Sequence, residues 1–248
     1  MRGLFGALVA VVVLFSGAAE AQNAPAAQRV IDRAQGAMGG ARAWNALRGL
    51  HENGEEGGAK FERWLDPLRY GLRTETETPA GKVVQGYNGA AEWRILASGV
   101  ATGSVERQVV GKVRSEAFFG AYGYFFPSRF DLRSVLVGER QSQGKTYDVL
   151  KVQPAGGSPR ELWFDRKTGL LGLIIEQGEP GERPLTTEVS DYRKVGQVTL
   201  PHRYVTHGGK LTRPLERKIT AVDTAPADRM KFSLPPPQGS GKAPLPKS

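Results

Sequence analysis

Three histidines, His51, His202 and His207, are the side chains of this sequence best suited to metal binding or proton transfer. His202 and His207 fall in one predicted strand, and their odd separation points them to opposite faces of a sheet. No further ligands are spaced around them as in known metal sites. We therefore predict no metal site and interpret the histidines as structural or surface residues.

The tripeptide Asp223-Thr224-Ala225 follows an apolar strand and resembles the catalytic loop of aspartic proteases. Such an enzyme needs two facing aspartates, and this match is single and weak. We interpret Asp223 as the start of a turn that its side chain stabilises. Nucleophile elbows, phosphate-binding glycine loops and dinucleotide-binding motifs are absent from the sequence. We predict no catalytic residue, no cofactor and a protein that is not an enzyme.

The beginning of the chain has the features of a secretory signal peptide. Arg2 precedes an apolar run over residues 4–15, and Ala19-Glu20-Ala21 provides a small-x-small cleavage site. A membrane anchor is the alternative, but the run is shorter than the roughly 20 residues that span a bilayer. We expect residues 1–21 to be removed and the mature protein to reside in a bacterial periplasm.

The absence of cysteine excludes disulfides, thiolate metal sites, cysteine nucleophiles and the acylated cysteine of a lipid-anchored protein. The formal net charge is +9. Outside the cytoplasm a basic surface favours anionic headgroups or a membrane surface over nucleic acid. A solvated basic surface without a dedicated partner is the alternative, because the basic residues are scattered. We expect a monomer that does not bind nucleic acid.

Two helical segments are predicted. Residues 25–47 carry an apolar stripe and are interrupted at Gly39-Gly40, after which a short second piece contains Trp44. Residues 104–119 form the second segment, with Ser104 as its cap. Both helices need a sheet to cover.

The remaining residues alternate between apolar and polar positions, which predicts strands. Residues 160–176 read as a hairpin in the middle of a sheet, because both of its strands have apolar side chains on both faces. Asp165 and Gly169 are suited to its turn, and Asn88-Gly89 indicates another hairpin. About ten strands are spaced as in an antiparallel sandwich, barrel or half-barrel.

A run rich in aromatic residues and glycine, residues 118–127, follows the second helix. A mobile flap over an apolar cleft is one interpretation. A plug packed permanently against the sheet is the alternative, since aromatic side chains usually serve packing.

Several short motifs, taken in order, resemble the LolA/LolB-like superfamily of outer-membrane lipoprotein-sorting and related periplasmic proteins. The resemblance covers most of the mature chain. The motifs are Tyr87-Asn88-Gly89 with Trp93; Leu162-Trp163-Phe164-Asp165 with Thr168-Gly169-Leu170; Asp191-Tyr192-Arg193 with Val198 and Leu200-Pro201; and residues 219–222 with Pro226, Asp228, Phe232 and Pro235.

The resemblance implies an α+β fold that is mainly β, in which a strongly curved antiparallel sheet forms an incomplete barrel and helices cover its concave face. It also implies an apolar cavity for lipid, acyl chains of lipoproteins or another hydrophobic ligand. We therefore expect one domain over residues 22–234, followed by a disordered Pro-rich tail over residues 235–248. The expected partners are a lipid or an acylated protein, together with an anionic membrane surface or an envelope protein.

Strand parity gives the expected lining of that cavity, although a slip of one residue would exchange the two faces. An envelope sensor that binds a protein partner on the same fold is the first alternative function, and an envelope hydrolase is the second. The expected lining residues are Leu72, Val83, Trp93, Leu162, Phe164, Leu171 and Leu173, and the expected cover is Phe118, Phe119, Tyr122 and Phe125.

Overall fold

The computed structural model describes residues 25–178, 181–226 and 228–235. The predicted signal peptide lies outside these ranges, as does the predicted tail apart from Pro235. Three helices and thirteen strands make up the described chain: α1 Pro25–Ala37, α2 Gly40–Ala46, α3 Arg107–Gly120, β1 Leu50–Glu56, β2 Ala59–Asp66, β3 Gly71–Thr78, β4 Gly81–Tyr87, β5 Glu92–Ile95, β6 Ala101–Ser104, β7 Leu132–Ser142, β8 Lys145–Pro154, β9 Arg160–Asp165, β10 Leu171–Glu176, β11 Leu185–Val195, β12 Val198–Gly208 and β13 Leu215–Asp223.

All thirteen strands form one antiparallel sheet in the order β6-β5-β4-β3-β2-β1-β13-β12-β11-β10-β9-β8-β7. The sheet is curved and open, and the α+β prediction is confirmed. Two consecutive meanders make it up, and the pairing of β1 with β13 joins them. The sequence indicated about ten strands because β1 and β6 contain few apolar residues.

Cross-strand register separates two faces of the sheet. Leu65 and Leu72 are directly paired on the inner face, which the three helices cover and which holds the main core. Trp64 is paired with Arg73 on the outer face. No helix in the described ranges is long and apolar enough to cross a membrane.

The predicted break between α1 and α2 is confirmed. Gly39 has a φ of 115°, and a Cβ there would lie 2.4 Å from the carbonyl oxygen of Gln197. Trp44 of α2 is fully buried, and its indole nitrogen donates to the carbonyl of Met38 at 3.0 Å. The two glycines therefore let the chain reverse closely against β12.

The predicted start of the second helical segment is wrong. Ser104 ends strand β6, and α3 begins at Arg107 with Glu106 as its N-cap residue. The hydroxyl of Ser104 accepts instead from the backbone of Glu106 at 3.1 Å, outside the helix. Because Val105 is 87% exposed, the apolar stripe assumed for this helix does not extend to it.

The predicted hairpin over residues 160–176 is confirmed as β9 and β10, with β8 and β11 on either side. The carboxylate of Asp165 accepts from the backbone of Lys167 at 2.8 Å and of Thr168 at 3.0 Å. Gly169 has a φ of 76°, which closes the turn. Local turn chemistry thus sets this part of the sheet.

A short C-terminal segment, Arg229–Phe232, packs on the outer face. The indole nitrogen of Trp93 donates to the carbonyl of Phe232 at 2.8 Å. The phenyl ring of Phe232 lies over Gly71, and the Trp93 ring lies over Gly86, so these two glycines leave a notch that aromatic rings fill. A second, smaller apolar cluster therefore closes the outer face here.

We predict that Gly86→Ala destabilises the fold by about 1–3 kcal/mol, because the added methyl group overpacks the notch. Its Cβ would lie 2.1 Å from the Trp93 ring. Gly36→Ala in α1 is the matched control, because nothing lies within 4 Å of its Cβ, and it should be neutral or stabilising. Urea unfolding of both variants tests this, and equal effects would contradict the packing described.

Candidate ligand-binding cleft

The helices leave part of the inner face uncovered, and a cleft of about 490 Å³ lies there. One wall comes from α3 and the short helix Gly123–Phe125, and the other from strands of both meanders. Its apolar side chains include Leu72, Leu162, Leu171 and Ile174. Threonines and charged residues complete the lining, so the cleft is amphipathic rather than wholly apolar.

Paired charges lie along the sheet side of the cleft. Each arginine there is directly opposite a glutamate on the neighbouring strand, so the sheet register itself creates the pairs. The pairs are Arg63–Glu52, Arg160–Glu176 and Arg217–Glu56, with shortest N–O distances of 2.5, 2.6 and 2.6 Å.

Aromatic rings hold two of these arginines in place. The guanidinium of Arg160 lies 4.8 Å from the ring centre of Phe119, and that of Arg217 lies 5.8 Å from Phe61. The Nε atom of Arg160 is close to Glu176 but does not have the direction of a hydrogen bond, so this contact is an ion pair. Stacking and pairing together restrict the movement of both side chains.

Glu116 enters the cleft from α3 and differs from the other acids. No ion pair within 4 Å holds it in the described ranges. The side chain of Glu116 is exposed to water on one side, and the nearby walls of the cleft partly desolvate it, which raises its pKa. Arg160, Arg217 and Arg63 act in the opposite direction without cancelling the increase.

Three tyrosines form the inner part of the cleft. Tyr122 and Tyr204 share a side-chain hydrogen bond, and burial raises the pKa of both phenols. Tyr124 is 1% exposed, burial raises its pKa, and its hydroxyl has no hydrogen-bond partner in the described part of the chain. Tyr122 has a φ of 55°, a strained conformation for a residue with a side chain.

The predicted lining residues fall into different places. Leu72, Leu162 and Leu171 line the cleft. Val83 is half-buried on the inner side of β4, opposite Thr76, but lies outside the lining. Phe164 is fully buried in the core, where its ring centre is 6.1 Å from that of Tyr124.

Trp93 and Leu173 lie on the outer face, which corrects the parity argument. Trp93 is opposite Gly86 and bonds to the C-terminal segment. Leu173 is opposite Trp163, because a bulge between Leu171 and Leu173 shifts the register of β10. The bulge inserts one residue, so it reverses the side-chain alternation and brings Ile174 into the lining instead.

The four residues expected to form a cover are all buried. Phe118 and Phe125 pack in the core, whereas Phe119 and Tyr122 contribute to the cleft wall. The ring of Trp44 lies 4.8 Å from Tyr122 and 4.9 Å from Phe125 between centres. This packing corresponds to the plug alternative, in which the aromatic run forms a packed wall of the cleft.

The histidines and Asp223, which the sequence offered as candidates for metal binding or catalysis, make structural contacts. His51 stacks on Trp64, with ring centres 4.7 Å apart, and the Nδ1 atom of buried His202 lies 2.9 Å from the carbonyl oxygen of Leu200. No group of three or more metal-binding side chains occurs among the residues described. Asp223 accepts from the backbone of Ala225 at 3.0 Å, as expected for a turn.

Sequence reasoning missed the charged residues of the cleft. The Arg63–Glu52 pair was not predicted, because a charged residue in a strand can face either solvent or an opposite charge on the neighbouring strand. The available signal was strand alternation. Arg63 is two positions from both Phe61 and Leu65, so its side chain lies on the same face of the sheet as theirs. Which glutamate it meets depends on strand pairing that the sequence did not specify.

Comparison with known proteins rests on structure, because no family model and no curated protein matches the sequence. A LolA superfamily protein, NE2245 from Nitrosomonas europaea, aligns with a TM-score of 0.54 at 11% identity over 84% of this chain and 97% of that chain. The chain has a LolA-like fold.

Two further crystal structures agree with the LolA-like fold. A DUF1329 family protein from Desulfovibrio piger aligns with a TM-score of 0.53 at 13% identity, covering 80% of this chain and 92% of that one. A putative outer membrane lipoprotein-sorting protein domain from Vibrio parahaemolyticus aligns with a TM-score of 0.51 at 12% identity, covering 79% and 92%. At these identities the likeness concerns the fold.

We predict that Glu116→Gln raises the melting temperature at about pH 7, where the ordinary glutamate is ionised. Because the folded-state pKa of Glu116 is raised, the folded protein binds this proton more tightly, and stability falls as pH rises through that pKa. Glutamine removes this loss, so the gain should vanish below about pH 4, near the unfolded value.

Glu106→Gln changes the net charge equally at a position outside the cleft lining and is the matched control, with no gain expected. Melting curves of both variants across this pH range decide the matter. A gain for Glu116→Gln that does not depend on pH would contradict the assignment.

We predict that Arg63→Met destabilises the protein by about 3–5 kcal/mol, because it leaves a buried carboxylate without its partner. The Glu52 side chain is only 3% exposed. The double variant Arg63→Met with Glu52→Leu should recover most of that loss, since it buries no unpaired charge. Urea unfolding of the single and double variants measures this, and equal destabilisation would contradict it.

Proposed function

We propose that this protein is a periplasmic, non-catalytic carrier or binding protein for a lipid, the acyl chains of a lipoprotein or another hydrophobic ligand. The observation that carries the proposal is the cleft on the inner face, whose wall contains Leu72, Leu162, Leu171 and Ile174. Its volume of about 490 Å³ is within the range of small-molecule sites in proteins.

The energetics of acyl-chain binding support this function. Each methylene that leaves water contributes roughly 0.8 kcal/mol before ordering costs. Leu162, Leu171 and Ile174 come from the adjacent strands β9 and β10, and Leu72 lines the same cleft from β3. The packed aromatic wall adds Phe119 on the opposite side. A cleft already shaped in the folded protein limits the entropy lost on binding.

The proposed location follows from the sequence. Residues 1–21 would direct export and be removed, and residues 22–234 would form the single binding domain. A net charge of +9 would favour approach to an anionic membrane surface. The likeness of the fold to a lipoprotein-sorting domain supports a lipid or an acylated protein as the partner.

The alternative function, a sensor that binds an envelope protein, draws support from one feature. Six charged side chains belong to the cleft lining, and a surface that mixes charged and apolar groups could also bind a segment of a partner protein. Lipid analysis separates the two functions. The mature protein is purified without detergent and extracted for mass spectrometry, and co-purified lipid supports the carrier. Absence of both lipid and acyl-probe binding would leave the sensor.

We predict that Ile174→Trp weakens binding of a fluorescent fatty acid by about tenfold or more, because the indole occupies space that the chain needs. Ile174 lies opposite Leu162 on the inner face and lines the cleft. The neighbouring Ile175→Trp is the matched control, since this side chain points outward, and it should bind as the wild type does. Fluorescence titration measures both, and equal loss or no loss would contradict the cleft as the binding site.

A further inference from the structure

Among the described residues that line the cleft, Glu116 is the acid that the sheet register leaves without a basic partner. Three arginines and three glutamates line the cleft, and a fourth glutamate outside the lining, Glu52, pairs with Arg63, so three cross-strand pairs use all of these arginines. Glu116 comes from α3 rather than from the sheet, and the described ion pairs within 4 Å join the three arginines to other glutamates. With every group ionised, the set carries one net negative charge.

The surroundings of Glu116 do not compensate this charge. Arg160 approaches it from β9, Arg217 from β13 and Arg63 from β2, while Glu176 on β10 repels it. Desolvation outweighs the attraction of the three arginines, and the pKa is raised as a result. A cationic ligand group could give this carboxylate the charge-assisted hydrogen bond that the sheet does not provide.

The arginines are poor receptors for an anionic ligand. Arg63 uses two nitrogen atoms on one oxygen of Glu52, at 2.8 and 2.5 Å. Arg217 holds Glu56 in the same way, and Arg160 is fixed between Glu176 and the Phe119 ring. An anion would have to break these pairs and would also meet Glu116.

We propose, on the basis of the function suggested above, that the ligand is an amphiphile with a cationic amine head and that Glu116 receives this head. The ammonium group would neutralise the spare charge, and its apolar chain would extend along Leu72, Leu162 and Leu171. The Phe119 and Tyr122 side chains form the aromatic wall of the same space, against which the apolar chain can pack.

The Tyr124 hydroxyl provides a second, independent indication that the ligand is not a plain hydrocarbon. This residue belongs to the cleft lining and is 1% exposed, yet its hydroxyl has no partner in the described ranges. Buried hydroxyl groups are nearly always hydrogen-bonded. A ligand with a polar group satisfies such a cleft better than a hydrocarbon does.

The test uses three amphiphiles of equal chain length and different heads: dodecylammonium, dodecanol and dodecanoate. Each displaces the neutral dye Nile red from the purified mature protein at neutral pH. We expect dodecylammonium to act at about a tenfold lower concentration than the other two, as one charge-assisted hydrogen bond provides. Glu116→Gln should abolish this preference, so that dodecylammonium and dodecanol displace the dye at similar concentrations.

Two further variants make the result specific. Glu106→Gln removes one negative charge at an exposed position and should keep the preference for the amine. Glu116→Lys places an ammonium group in the cleft and should reverse the preference towards dodecanoate. Circular dichroism and melting curves check that each variant is folded.

The possible outcomes separate this inference from the proposed function. The inference is supported if Glu116→Gln loses the preference for the amine while Glu106→Gln keeps it. Equal affinity for all three heads, or tightest binding of dodecanoate by the wild type, overturns it and leaves the carrier function intact. If neither Nile red nor any amphiphile binds, the inference and the carrier function both fail.

Discussion

The pairing of β1 with β13 is the constraint on which the rest of the structure depends. These strands lie near opposite ends of the described chain, and their contact converts two meanders into one sheet. The register shifts between Asn53 and Gly54, where a Cβ on Gly54 would lie 2.1 Å from the carbonyl oxygen of Lys218. A side chain at this position would push the strands apart. Since such distant contacts form at a high entropic cost, the seam needs a close and well-fitted interface.

The same seam organises the electrostatics of the cleft. It places Glu56 opposite Arg217, while the adjoining pair of β1 and β2 places Glu52 opposite Arg63. Glutamates on β1 therefore neutralise one arginine on each of the two neighbouring strands. Both arginines can lie in the wall of the cleft because each is paired with a carboxylate. Glu116 has no directly opposite residue on a neighbouring strand, because it belongs to α3. Its distinct behaviour thus follows from topology rather than from its chemical type.

The sequence predicted those parts of the molecule that local chemistry decides. The turn at Asp165 and Gly169 was predictable because its backbone donors and its positive φ are set within a few residues. The break at Gly39-Gly40 was predictable for the same reason. The outward orientation of Leu173 was not, because a bulge leaves no clear pattern in a run of apolar residues. The charged pairs were not predictable either, since each depends on which strands become neighbours.

The inner face is divided into a filled part and a cleft, so the fold can have a packed core and still keep an open space. The aromatic run after α3 fills the space beneath the helices, where Trp44 and Phe125 hold Tyr122 from two sides. This packing offsets the strained backbone of Tyr122, which needs its surroundings to keep it in place. A wall held in this way cannot swing aside at low cost, so a ligand would enter beside it rather than beneath it. The position of α3, and with it Glu116, is then fixed by the core before any ligand arrives.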